Sequence, residues 1–143
     1  MVRQELPDSC GAACVRQLLL DAQVDVPEAI IRDIAGYHPN VLLLMEGLVD
    51  ALTALHPDTS YRQSGVAPED LDALARTGPF IALLRMPHRH FVVVDEVSST
   101  EVRLRDPAGT EAAPSVGAVV VMDRATFLEC WRRAFHGALW RVR

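Results

Sequence analysis

Apolar side chains fall at positions 14, 15, 18, 19 and 22 of "CGAACVRQLLLDA" (residues 10 to 22), the three-and-four spacing of one helix face. Asp8 or Ser9 can cap that helix, which puts Cys10 at its N-terminal end. "DVPEAIIRDIAGY" predicts a second helix, with Pro27 in its first position and Gly36 at its stop. "MEGLVDALTALHP" and "APEDLDALARTG" predict a third and a fourth, the last running from Pro68 to Gly78. The period then changes. "PFIALLRM" (79 to 86), "HFVVVDEV" (90 to 97) and "EVRLRD" (101 to 106) are short apolar or β-branched runs separated by turn residues, as in a meander of strands. After an irregular Gly/Pro/Ala stretch, "MDRATFLECWRRAF" predicts a last helix capped by Asp123, with apolar positions 127, 128, 131 and 135, and "ALWRVR" a last strand. Helices followed by strands, with little βαβ alternation, indicate an α+β fold in which N-terminal helices pack on an antiparallel sheet. Residues 1–143 are expected to form a single domain.

Composition narrows the functional classes. Half of the residues are hydrophobic, which excludes disorder, and the net charge of -5 with scattered basic residues argues against nucleic acid as a partner. All 14 basic residues are arginine, and Asn40 is the one asparagine, a bias that a GC-rich genome explains. Three cysteines, Cys10, Cys14 and Cys130, imply no disulfide framework and favour a reducing, cytosolic setting. The longest apolar runs, such as "VLLLM" at 41 to 45, are too short for a membrane span, so no membrane insertion is expected. The ending "GALWRVR", without linker or tail, suggests a domain cut from, or closing, a longer chain.

Candidate chemistry emerges from the hairpin. If strands 90 to 97 and 101 to 106 pair around a turn centred on Ser98, His90 faces Asp106, Val92 faces Leu104 and Val94 faces Val102. The first pair would stand with β-carbons about 5 Å apart over an apolar floor. A slip of one residue would separate it. The opposite face, with Phe91, Val93, Arg103 and Arg105, is expected to be partly solvated, and Asp95 to be exposed or paired with an arginine. An imidazole oriented by a carboxylate is prepared to take a proton from a nucleophile. Cys10 is the candidate, because a thiol at a helix N-terminus beside an imidazolium is favoured as thiolate. Gly11 leaves room for a substrate backbone. For an oxyanion, the Cys10 N–H is free at the helix start, and Gln4 could return its amide across the Pro7 to Ser9 turn.

Other clusters carry less. Cys14 lies on the apolar helix face and Cys130 beside Trp131, both as packing. Cys10, Cys14, His88 and His90 include zinc-ligand types, but the cysteines are one helical turn apart rather than on a knuckle, so no metal and no cofactor are expected. His38, His56, His88 and His136 read as solvated turn residues. Phe127, Trp131 and Trp140 read as core, with Trp131 a candidate for one wall of the cleft.

Gln4, "DSCGAAC", "GPFIALL", "HFVVVDEV", "RDPAG" and the closing "FLECW" together resemble the papain-like cysteine peptidase domain of bacteriocin-processing transporters, which cuts leader peptides after Gly-Gly. The resemblance spans nearly the whole chain. It implies Cys10 as nucleophile, His90 as general base and acid, Asp106 as its orienting group and Gln4 as oxyanion donor. Ser9 stands where that family commonly has Asp. The second helix, the segment from Val102 to Trp131 and the C-terminal end also resemble papain-fold domains of bacterial polymorphic toxins and effectors.

The expectation is therefore a cysteine endopeptidase cutting after small residues such as Gly-Gly, as a toxin or effector domain or as a leader-processing domain. A deamidase, transglutaminase or acyltransferase using the same Cys-His-Asp set is the alternative chemistry. A non-catalytic peptide-binding module is a third reading. The expected partner is a protein or peptide substrate, with an immunity or inhibitor protein in the toxin case.

Overall fold

The computed structural model describes residues 1–109 and 117–142; residues 110–116 of the expected irregular stretch lie outside the described residues. Three helices come first: α1 (Cys10–Asp21), α2 (Glu28–Ala35) and α3 (Met45–Leu55). Strand β1 (Ser60–Gly65), a 3-10 turn (Pro68–Asp70) and α4 (Leu71–Ala75) follow. The chain then runs through β2 (Phe80–Arg85), β3 (Arg89–Val97), β4 (Glu101–Asp106), β5 (Ala118–Asp123), α5 (Arg124–Arg132) and β6 (Gly137–Val142). The six strands form one antiparallel sheet in the order β1-β6-β2-β3-β4-β5.

Both faces of the central strands are buried, which is why their sequences read as near-continuous apolar runs. Ile81, Phe91, Val93 and Leu139 face α1 to α3, packing with Cys14, Val15, Leu19, Ile31, Leu48 and Leu52. Phe80, Ala82, Leu84, Val92, Val94, Leu104 and Ala138 face the other way, against Leu71, Phe127 and Trp131 of α4 and α5. Of the face expected to be partly solvated, Phe91 and Val93 are covered because α1 lies directly across β3, while Arg103 on β4 is exposed. Trp131 is likewise core rather than cleft wall: it is fully buried and its Nε1–H donates to the Gly137 carbonyl at 3.0 Å.

Two contacts set how closely the helices approach. A β-carbon on Gly47 would stand 2.2 Å from the Ala35 carbonyl oxygen, so α2 and α3 cross at a distance that only glycine permits. Gly36, at φ 80°, ends α2 in the left-handed conformation. Among the described residues no helix is long and apolar enough to cross a membrane.

Candidate active site

Ser9 and Asp8 were both available to cap α1. Ser9 occupies the cap position, but its side chain makes no capping bond. Its Oγ accepts from the Leu6 N–H at 3.0 Å and lies 3.2 Å from the Glu28 Oε1, tying the turn before Cys10 to α2. The same Glu28 oxygen accepts from the Glu5 N–H at 3.1 Å. Asp8 instead accepts from the Tyr37 hydroxyl and the Asn40 N–H. Two carboxylates from outside the helix thus brace the turn that delivers Cys10, leaving the first N–H groups of α1, that of Cys10 included, without intrahelical partners.

Glu28 is fully buried, and burial pushes its carboxyl upward, opposed by the Glu5 N–H, Arg32 and the Ser9 hydroxyl. The Arg32 Nη1 lies 3.2 Å from Glu28 Oε2. Glu28 was not singled out from the sequence. It shares the buried stripe of α2 with Ile31 and Ala35, and a carboxylate on an apolar stripe is the signal that could have found it.

The β3–β4 register differs from the expected one. Val93 pairs with Arg105 and Val94 with Leu104, and beyond a bulge at Asp95 Glu96 pairs with Arg103 and Val97 with Val102. Extended along the ladder, this pairing sets Asp106 across from Val92, so His90 and Asp106 are diagonal rather than direct neighbours. The shift preserves parity, and both remain on one face. The bulge decides this: continuing the Val97–Val102 pairing without it would set Asp106 against Val93, on the other face from His90. Asp95 is held there by Arg105, whose Nε lies 2.8 Å from its Oδ2, while the same guanidinium reaches Asp21 on α1 at 2.6 Å.

His90 Nε2 and Asp106 Oδ1 are 2.6 Å apart, with side chains 19% and 18% exposed. Asp106 also accepts from the Ala108 N–H at 2.8 Å. Burial opposes a charge on His90, yet hydrogen bonds to Asp106 and to the Cys10 thiol outweigh it and raise the imidazole to about 9. Asp106 is held below the usual carboxylate range: burial works against this, and His90 and the Ala108 N–H prevail. With Nε2 engaged by Asp106, Nδ1 is the nitrogen left for the thiol. Cys14, one turn further on, is fully buried, and burial drives its thiol well up.

The structure thus brings Cys10, His90 and Asp106 together. Gln4 lies nearby in the chain path but is turned inward: its Nε2 donates to the Leu6 and Pro7 carbonyls at 2.8 and 3.0 Å, and its backbone N–H to Pro107 at 2.9 Å. Arg3 bonds the Ala108 carbonyl beside it. The N-terminal segment is thereby laced to the residues that follow Asp106.

A helix-tip thiol set against a histidine and a carboxylate carried on an antiparallel sheet defines a papain-like thiol hydrolase. Residues 1–135 match the model of the Peptidase C39 family, and the chain belongs to that family; it is a cysteine peptidase. The fold is similar to the peptidase domain of Streptococcus ComA, a bifunctional ABC transporter of a quorum-sensing pathway (TM-score 0.78, 19% identity, 99% of this chain and 96% of that one). It is also similar to a double-glycine-motif protease from an AMS/PCAT transporter, solved with its leader peptide (TM-score 0.77, 20% identity, 99% and 89%). A C39-like peptidase from Bacillus anthracis aligns as well (TM-score 0.75, 14% identity, 100% and 94%). Comparison with curated proteins gave no match.

Proposed function

We propose that this domain is an endopeptidase that cuts after a Gly-Gly pair through Cys10, His90 and Asp106. The observation that carries this reading is the His90 imidazole, bonded to Asp106 at 2.6 Å through Nε2, with Cys10 near enough to help hold its proton. The Cys10 sulfur attacks the glycyl carbonyl carbon, and the developing oxyanion is met by the Cys10 N–H and by Gln4 once its amide leaves the Leu6 and Pro7 carbonyls. The imidazolium gives its proton to the departing amine as the C–N bond breaks. Water then attacks the thioester, passing a proton to His90, which gives it to the departing Cys10 sulfur as the C–S bond breaks, releasing the carboxylic acid and restoring the thiol.

The leader peptide bound by one structural relative, and the transporter setting of two, support leader processing over the effector role that the sequence also raised. On this reading the domain works on the cytosolic side. An immunity partner belongs to the effector role alone.

The test is N-terminal proteomics on a bacterial lysate treated with the wild type or with Cys10→Ala. New termini that follow Gly-Gly and depend on Cys10 are expected. Glutamine-to-glutamate conversion without new termini would replace hydrolysis of peptide bonds by deamidation and overturn the proposal.

A further inference from the structure

Arg85 and Arg89 are direct cross-strand partners at the end of the β2–β3 hairpin. Like charges in that position repel, and a hairpin gains nothing structural from them. Both are exposed, as are Met86, Pro87 and His88 between them. Arg85 Nε donates to the Pro87 carbonyl at 3.3 Å, and neither guanidinium meets a carboxylate among the described residues. Arg16, Arg32, Arg103, Arg105, Arg124, Arg132 and Arg133 each do, and of the arginines that do not, Arg85 and Arg89 alone are direct cross-strand partners among the described residues. In a chain of net charge -5, acidic side chains are plentiful, and still none is provided here.

Their position gives the pair a use. Moving outward along the hairpin, the Leu83–Phe91 pair comes next before Arg85–Arg89 on the same sheet face. That face carries α1, and Phe91 Cδ2 lies 3.0 Å from where a Gly11 β-carbon would stand. Gly11 follows Cys10. Two strand residues span about 7 Å, so the backbone of the Arg85–Arg89 pair lies about that far along the hairpin from Phe91, and long arginine side chains at that distance can reach an extended peptide within two or three residues of a bond held at Cys10.

We infer that Arg85 and Arg89 form a specificity subsite that takes an aspartate or glutamate side chain of the substrate peptide, two or three residues from the bond that is cut. This rests on the endopeptidase reading above. A carboxylate between the two guanidinium groups relieves their repulsion and accepts charge-assisted hydrogen bonds from both. The uncharged segment at Gly-Gly itself makes no use of them, so the pair adds selection that a small-residue preference lacks.

The experiment uses Gly-Gly peptides in which a single Glu, or Gln at the same place, is moved through the four positions on each side of the bond. Turnover is measured with the wild type and with Arg85→Gln/Arg89→Gln, and binding of the same peptides by fluorescence anisotropy in a Cys10→Ala background. The wild type should favour Glu over Gln about tenfold at one position, expressed in KM and in Kd. The double variant should treat the two alike, and Arg85→Glu/Arg89→Glu should favour Lys there. Absence of a Glu preference in both readouts, or its survival in the double variant, would overturn the subsite. So would a variant whose only loss is attachment to phosphatidylserine vesicles, which would mark a membrane contact. If no peptide is cut while Glu-dependent binding persists, the subsite stands and the endopeptidase reading falls.

Discussion

Replacing Asp106 by Asn removes a charge from beside His90 without changing its shape. His90 titrates near 6.5 when free and at about 9 in the fold. At about 1.4 kcal/mol for each pH unit, the protonated imidazole is favoured by the fold by about 3 kcal/mol. Asp106 supplies the largest of the raising influences, and the burial that pushes the other way stays in place in the variant. His90 should therefore titrate at least one unit lower in Asp106→Asn. The sign fixes the pH window. A raised histidine contributes stability that is full below 6.5 and is lost as pH climbs through about 9. The lowered Asp106 contributes stability that is present above its ordinary value of 3.8 and is lost as pH falls through its folded value. The stability gap between wild type and variant should be widest between about pH 4 and 6.5, at about 1 to 3 kcal/mol, and close by about pH 10. Urea unfolding at pH 5.5 and pH 10, with NMR titration of the His90 ring, measures both quantities. A gap of equal size at the two pH values, or a His90 that titrates alike in both proteins, would refute the coupling.

Further outcomes follow from particular contacts. Iodoacetamide at mildly acidic pH should label Cys10 well before Cys14, whose thiol is buried and driven upward, or Cys130; equal rates by peptide mass mapping would end the case for Cys10 as nucleophile. Gln4→Ala should lower turnover roughly 10²-fold while the loss of its bonds to the Leu6 and Pro7 carbonyls costs only about 1 kcal/mol of stability, and full activity would remove Gln4 from the mechanism. Gly47→Ala should cost about 1 to 3 kcal/mol or more in urea, because its β-carbon meets a backbone oxygen that cannot rotate away. Glu28→Ala leaves Arg32 with Glu5 as its one carboxylate and unties two groups of the Cys10 turn, and should cost about 1 to 3 kcal/mol; a wild-type urea midpoint would show that the buried carboxylate is not needed.

What the sequence revealed and what it hid divide along physical lines. The helices and central strands bury wide apolar faces, so their periodicity was legible, down to Gly36 as the stop of α2. β1, "SYRQSG", is almost wholly exposed and pairs at the sheet edge with β6 alone, with Tyr61 its one residue packed on the core, so it carries no apolar alternation to read. β5, "AVVVMD", occupies the opposite edge with Val119 and Val121 exposed, and its apolar content was passed over as irregular chain. The bulge at Asp95 left no periodic trace, which is why the hairpin was expected in a regular register. His90 and Asp106 were still placed on one face, since the error was of even parity. Long-range polar braces such as Glu28 to the Ser9 turn depend on which helix lands beside which loop, and no local pattern encodes that.

The bulge also makes the hairpin a counting device. Removing Asp95 would leave Val94, Glu96 and Val97 to pair in unbroken alternation with Leu104, Arg103 and Val102, with His90 and Asp106 still on a common side. Removing one residue between Phe91 and Val94, or adding one to β4, would turn the two outward and inward of each other. Single-residue length changes in this hairpin are therefore not equivalent lesions: one position can be lost at the cost of an ion pair with Arg105, while its neighbours cannot be lost without dismantling the reacting pair.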